Sequence, residues 1–212
     1  MSTGSDDIVA IGGNLEPETL IRAYESGVFP WPTDGLPLLW FCPRERAVLE
    51  FRSMHVSRSL TRARRRLPFR CTIDRSFDAV IQHCAEIPRA DQDGTWITPE
   101  MIDGYRELHR RGIAHSIEVW DGARLVGGVY GVDAGGAFAA ESMFHLESYA
   151  SKIALLHLID HLEGRGLEWL DIQVMTPHME KMGAIEISRN DFLGRLDQEQ
   201  SRGRVLFPPV VT

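Results

Sequence analysis

The stretch that most constrains this chain runs from residue 115 to residue 162. Three segments rich in apolar and β-branched residues (115–120, 125–132 and 137–144) are separated by Asp121-Gly122 and by a turn over 133–136. Asp-Gly between such segments is a hairpin signal, because glycine supplies the positive φ that a tight turn needs. A three-strand meander is therefore predicted. It leads directly into 149–162, a segment apolar enough to be a buried helix. This commits the middle of the chain to a sheet with a helix laid on it.

The flanks extend the pattern. Residues 69–73 read as a strand and 77–87 as a helix whose apolar side is Ala79, Val80, Ile81 and Cys84. Thr98 caps a helix with Pro99 and Glu100 in its first turn and Ile102, Tyr105 and Leu108 on one face, ended by Gly112. A strand is predicted over 167–174 and a helix over 189–196. The order is strand, helix, helix, meander, helix, strand, helix, which indicates an α/β (α+β) chain with a mixed sheet. It is the order of the acetyltransferase-like (GNAT) fold, and a fold leaves function open.

The first 50 or so residues are different: Gly12, Gly13, Pro17, Gly27, Pro30, Pro32, Gly35, Pro37 and Pro43 punctuate them. One short helix is legible, started by Pro17, with Leu20, Ile21 and Tyr24 on one face and Gly27 at its stop. Val28-Phe29-Pro30-Trp31 and Leu38-Leu39-Trp40-Phe41 then crowd large apolar groups between turns. The reading is a small N-terminal domain over 1–52, packed on a GNAT-like domain over 53–212.

The formal net charge is -7, so the chain as a whole does not attract nucleic acid, and any such contact needs a local patch. One exists. Arg58, Arg62, Arg64, Arg65, Arg66 and Arg70 crowd one short segment, and Arg58, Arg62, Arg65 and Arg66 share a helical side. Arginines grouped in this way either cover a solvated helix or position phosphates. Cys42, Cys71 and Cys84 are odd in number and lack a C-x-x-C pair, as expected for free thiols in a reducing compartment. The N-terminal MSTGSDDIVA has neither the basic nor the apolar region of a signal peptide, and no apolar run approaches the roughly 18 residues of a membrane span. A cytoplasmic protein without membrane contact is expected. No long apolar helix face or heptad occurs, so a monomer is expected.

Other chemistries fit poorly. An acyl-CoA enzyme of this fold needs a glycine-rich phosphate turn before the helix that follows the meander. That junction here reads Phe144-His145-Leu146-Glu147-Ser148-Tyr149-Ala150, with no glycine and a glutamate. His157 and His161 have a metal-compatible spacing, yet no H-E-x-x-H and no third ligand accompany them. Ser142 lies outside any Gly-x-Ser-x-Gly elbow.

Read in order, several short motifs carry a resemblance. They are Gly12-Gly13-Asn14-Leu15, Ala23-Tyr24 with Gly27-Val28-Phe29-Pro30-Trp31, His55-Val56-Ser57-Arg58-Ser59-Leu60, and Gly94-Thr95-Trp96-Ile97. They continue through 114–120, 125–132, Glu141-Ser142-Met143-Phe144, Ala150-Ser151-Lys152, Asp171-Ile172-Gln173 and Gly183-Ala184-Ile185-Glu186-Ile187. The chain resembles the leucyl/phenylalanyl-tRNA–protein transferases along nearly its whole length. That resemblance implies transfer of Leu or Phe, less readily Met, from aminoacyl-tRNA to the N-terminal amine of proteins beginning with Lys or Arg. The product enters the bacterial N-end rule degradation pathway. It also implies that no metal, ATP or acyl-CoA is needed. Departures from the family's usual residues occur at Phe41, Ala140, His145 and Met182, and they bear on substrate preference.

By the same resemblance, Glu141, Asp171 and Gln173 fall on the family's catalytic trio. Asp171 and Gln173 stand two apart on a predicted strand and so share a face, while Glu141 ends or interrupts another. An aminoacyl ester is already activated, so alignment of the amine and stabilisation of the tetrahedral intermediate suffice. In this reading Asp171 orients Gln173 and Gln173 holds the amine. Glu141 binds either that amine or the acceptor's basic first residue. The resemblance also places Val129, Phe138, Met143 and Leu155 around the aminoacyl side chain, although periodicity alone makes them core. It places Trp31 where the family stacks on the 3′-terminal adenosine, and it assigns tRNA to Arg58, Arg62, Arg65 and Arg66.

Overall fold

The computed structural model describes residues 5–33, 35–87 and 96–208; Gly94 and Thr95 of the fourth motif lie outside them. In chain order the elements are β1 (Ile8–Ile11), α1 (Pro17–Glu25), β2 (Phe29–Trp31), β3 (Leu39–Phe41), β4 (Glu45–Glu50), α2 (Arg58–Arg66), β5 (Phe69–Ile73), α3 (Phe77–Glu86) and α4 (Pro99–Arg110). Then come β6 (Ala114–Asp121), β7 (Arg124–Asp133), β8 (Phe138–His145), α5 (Ala150–Gly164), β9 (Trp169–Gln173), α6 (Pro177–Lys181), β10 (Ile185–Ser188) and α7 (Arg189–Arg202). Together they form a mixed α/β structure.

Local chemistry accounts for the boundaries. The Ser57, Thr98, Thr176 and Ser188 side chains each accept a backbone N–H in the first turn of α2, α4, α6 and α7. The β6–β7 loop consists of Gly122 and Ala123, since Asp121 pairs with Arg124. That is one residue later than the Asp-Gly signal suggests, because Gly122, at φ 60°, occupies the first central position.

The larger sheet has the order β10-β4-β9-β8-β7-β6-β5, and a second sheet has the order β1-β3-β2. All neighbours in the larger sheet are antiparallel except β8 and β9, which run parallel and register at Ala139 and Asp171. Residues 45–50, counted with the N-terminal segment in the sequence reading, form a strand inside this larger sheet, between β9 and β10. One face of the sheet is covered by α1, α3, α4 and α7 with the small sheet, and the other by α2, α5 and α6. On α5, Ile153, Leu155, Leu156, Leu158, Ile159 and Leu162 are all buried, each worth roughly 1.5–3 kcal/mol of transfer free energy. Among the described residues no helix is long and apolar enough to cross a membrane.

Candidate functional site

Two strand irregularities build the site. On β8, Tyr130 pairs with Ser142 and Gly131 with Ala140, so Glu141 is an extra, bulged residue. Gly131 permits this, because a Cβ there would lie 2.3 Å from the Ala139 carbonyl oxygen. On β9, Ala47 of β4 pairs with Gln173 and Val48 with Asp171, which leaves Ile172 as the extra residue. Gln173 then takes φ 62°, a left-handed conformation that costs a non-glycine residue about 1–3 kcal/mol. Bulges of this kind re-aim side chains beside a site.

Beyond Ala139 and Asp171 the two parallel strands diverge. A cavity of about 650 Å³ occupies the wedge between them. Its apolar lining includes Val129, Met143, Leu155, Ile172, Val174 and Met179, and its polar lining includes Glu141, Ser142, His145, Lys152, Thr176 and His178. From the α3 side, Cys84 and Ile87 close it.

The three expected catalytic residues lie together, with Glu141 in the cavity lining and Asp171 and Gln173 buried behind it. The Gln173 Nε2 donates to Glu141 Oε1 at 2.6 Å. The Tyr105 hydroxyl donates to Glu141 Oε2 at 3.4 Å, and the Tyr105 and Tyr24 hydroxyls lie 2.5 Å apart. Asp171 Oδ1 accepts the backbone N–H of Gln173 at 2.9 Å. The carboxylate thus acts on Gln173 through its backbone. Its side-chain partner is Arg46, which donates through Nε at 2.8 Å and Nη2 at 2.7 Å. Arg46 is 1% exposed. Its guanidinium lies between the rings of Phe29 and Phe192, 4.6 and 4.3 Å from their centroids, and Nη1 donates to the Gly27 carbonyl at 3.2 Å.

Burial raises the Glu141 carboxyl to about 7, and nearby Asp171 adds to the rise. Hydrogen bonding from Tyr24 and Gln173, with the positive Arg46, opposes it. Burial first, then the Glu141 charge, pushes Tyr24 and Tyr105 well above the ordinary phenol value, so both remain hydrogen donors. Because the folded protein binds the Glu141 proton more tightly than the unfolded chain does, this group favours folding below about pH 4.5. That contribution disappears as the pH rises through about 7. The change is worth about 3 kcal/mol. Urea denaturation between these two pH values is expected to show a shallower loss of stability for Glu141→Gln than for the wild type. Parallel curves would mean that burial does not perturb this carboxyl.

The other expected site residues divide. Val129, Met143 and Leu155 line the cavity with Glu141. Phe138 is 1% exposed and packs on Phe207 with ring centroids 5.3 Å apart, in the core beside the cavity and not in its lining. Trp31 is also outside the lining and stacks on Trp96, with centroids 5.8 Å apart. Arg58, Arg62, Arg65 and Arg66 are exposed on α2 and, among the described residues, form no ion pair, whereas Arg64 pairs with Asp160. The His55 N–H, just before α2, donates to the Met182 carbonyl at 2.8 Å. The basic helix therefore begins beside the segment that supplies Thr176, His178 and Met179 to the cavity.

Arg46, Tyr24 and Tyr105 went unnoticed in the sequence. Arg46 opens the apolar run Ala47-Val48-Leu49, where a charge reads as the outer end of a strand. The tyrosines share helical faces with leucines and isoleucines, which reads as core.

Comparison with known proteins identifies the family. The family model described as leucyl/phenylalanyl-tRNA protein transferase matches residues 48–197, and the model for that family's N-terminal domain matches residues 13–44. A leucyl/phenylalanyl-tRNA–protein transferase of Anaeromyxobacter sp. (strain Fw109-5) is 48% identical over 203 residues, covering 94% of this chain and 86% of its own length. The protein of the same name from Nitratidesulfovibrio vulgaris (strain DP4) is 48% identical over 193 residues, covering 91% and 82%. That from Shewanella denitrificans (strain OS217) is 47% identical over 196 residues, covering 92% and 83%. A match across both segments at this identity places the chain in the leucyl/phenylalanyl-tRNA–protein transferase family.

Proposed function

We propose that the cavity takes the aminoacyl end of Leu-tRNA or Phe-tRNA, less readily Met-tRNA, and passes it to the N-terminal amine of proteins beginning with Lys or Arg. The product then feeds N-end rule degradation. The observation that carries this reading is the Gln173–Glu141 hydrogen bond at the end of an apolar cavity, with the Arg46–Asp171 pair behind it. A GNAT-like architecture fits as well, supported by the antiparallel meander, the α5 crossover and the diverging parallel pair β8–β9.

Gln173 spends its Nε2 on Glu141, which leaves its carbonyl oxygen to accept a hydrogen from the incoming amine. The amine nitrogen attacks the ester carbonyl carbon, and the carbon–oxygen bond to the ribose breaks. Glu141 takes the proton that the amine loses and delivers it to the departing ribose oxygen. A carboxyl near 7 suits an α-amine of about 7.7–8.0, since the proton can travel both ways at little cost. Val129, Met143 and Leu155 receive the apolar side chain, and Met adapts to both Leu and Phe. Trp31 and Trp96 offer faces to the terminal adenine.

The test is transfer of radiolabelled Leu or Phe from tRNA to peptides beginning with Lys, Arg, Asp or Ala, without CoA, ATP or added metal. Label on the Lys and Arg peptides alone is the expected result. No label on any peptide overturns the reading. Replacing both Arg65 and Arg66 with Ala is expected to weaken tRNA binding and to lower the slope of log affinity against log salt by up to about two. An unchanged slope would put the tRNA backbone elsewhere.

A further inference from the structure

The cavity has a second charged end. His145, at the end of β8, lies four residues beyond Glu141, about 13 Å along a strand. Lys152 of α5 and His178 of α6 line the same end, and Lys181 follows on α6. Among the described residues none of these four forms an ion pair, although the chain has 30 acidic and 23 basic residues. By contrast, Arg46, Arg64, Arg124, Arg195 and Arg204 each reach a carboxylate, while Arg58, Arg62, Arg65 and Arg66 of α2, like this cluster, do not among the described residues. His178 Nε2 is also buried without a hydrogen-bond partner. Burial first, and then the nearby Lys152, His145 and Lys181, oppose protonation of His178. Basic groups drawn together with no counter-charge repel one another, and an anion would relieve that repulsion.

We propose that Lys152, His145 and His178 form a phosphate-binding end of the cavity, which holds the phosphodiester on the 5′ side of the nucleoside that carries the aminoacyl group. This rests on the aminoacyl-tRNA reading above. Two features select a nucleic-acid phosphate over another anion. The cluster shares its cavity with Glu141. Lys152 and His178 lie on α5 and α6, the first packed against α2 and the second adjoining the segment that leads into it. The cluster therefore continues the arginines of α2 into the cavity. The ammonium of Lys152 supplies the charge, and rotation of the His178 ring turns its unspent nitrogen toward a phosphate oxygen.

The experiment compares binding of 3′-phenylalanylamido-3′-deoxyadenosine, which cannot be hydrolysed, with and without a 5′-phosphate. Calorimetry on the full chain is expected to show about tenfold tighter binding of the phosphorylated compound. Lys152→Gln with His178→Gln should reduce that preference to about twofold or less, while affinity for the unphosphorylated compound, which also reports folding, stays at the wild-type value. Equal affinities in the wild type overturn the phosphate site and leave the aminoacyl-transfer reading standing. A preference that survives in the double variant overturns the assignment to these residues. Failure of both compounds to bind the wild type overturns the phosphate site and the aminoacyl-nucleoside reading together.

Discussion

Gln173→Ala should transfer Phe from Phe-tRNA to an Arg-initiated peptide about a hundred to a thousandfold more slowly than the wild type, while its affinity for Phe-tRNA changes by less than about twofold. The amide is the side chain that touches Glu141 at 2.6 Å, and it is the group proposed to meet the amine. The groups proposed to hold the tRNA are the arginines of α2, and those proposed to hold the aminoacyl side chain are apolar. Neither set is disturbed by the loss of the amide. Single-turnover transfer and filter binding on one preparation separate the two quantities. Turnover at the wild-type rate would remove Gln173 from the chemistry. Gln173→Gly is a useful companion, because glycine accepts φ 62° without strain. It should equal or exceed the wild type in stability and still transfer slowly, which divides the amide's role from the fold's.

Arg46→Ala should cost about 3–5 kcal/mol of unfolding free energy, because it leaves the Asp171 carboxylate buried and uncompensated. The pair lies inside the protein, with side chains 2% and 6% exposed, so solvent cannot replace the lost partner. Two stacked aromatic contacts and the hydrogen bond to Gly27 vanish as well. Arg46→Lys keeps the charge but loses the two-pronged geometry and should fall between the two. Arg46→Met combined with Asp171→Leu removes both charges, and it should recover much of the stability without recovering transfer. Urea denaturation of the four proteins decides the matter. A loss below about 1 kcal/mol in Arg46→Ala would mean that the carboxylate finds another partner or a proton.

The elements that were legible in the sequence are those whose burial is one-sided or complete over a long run. The meander has long buried runs and carries its own turn signals, and α5 is apolar over four turns, so both stand out. Thr98 marked the start of α4 by its chemistry alone. By contrast, β4 was hidden because its inner residues, Arg46 to Leu49, are all buried and one of them is charged. It shows neither alternation nor a clean apolar run. At four residues, with two exposed glutamate and isoleucine positions at its start, β10 has too little pattern to be read. The site behaved similarly. Asp171 and Gln173 were singled out by the resemblance, and the idea that Glu141 interrupts its strand has a physical counterpart in the bulge. Their roles, however, depend on backbone geometry that spacing does not encode. With a bulge at Ile172 and a left-handed Gln173, the Asp171 carboxylate meets the Gln173 backbone N–H. Phe138 and Val129 have the same apolar character in the sequence, and only the path of the sheet separates the core residue from the cavity wall.

The position of β4 between two strands from the end of the chain has a bearing on biosynthesis. A ribosome releases Glu45–Glu50 long before Trp169–Gln173 and Ile185–Ser188, so this strand waits with both edges unsatisfied while most of the protein is made. Closing that seam joins residues 125 positions apart, Arg46 and Asp171, which is a slow kind of contact to form. The step that completes the sheet is also the step that sets the Gln173 backbone. Nascent or truncated chains lacking the last strands would therefore hold the meander and α5 but no assembled site, and aminoacyl transfer would begin only after the whole chain has emerged.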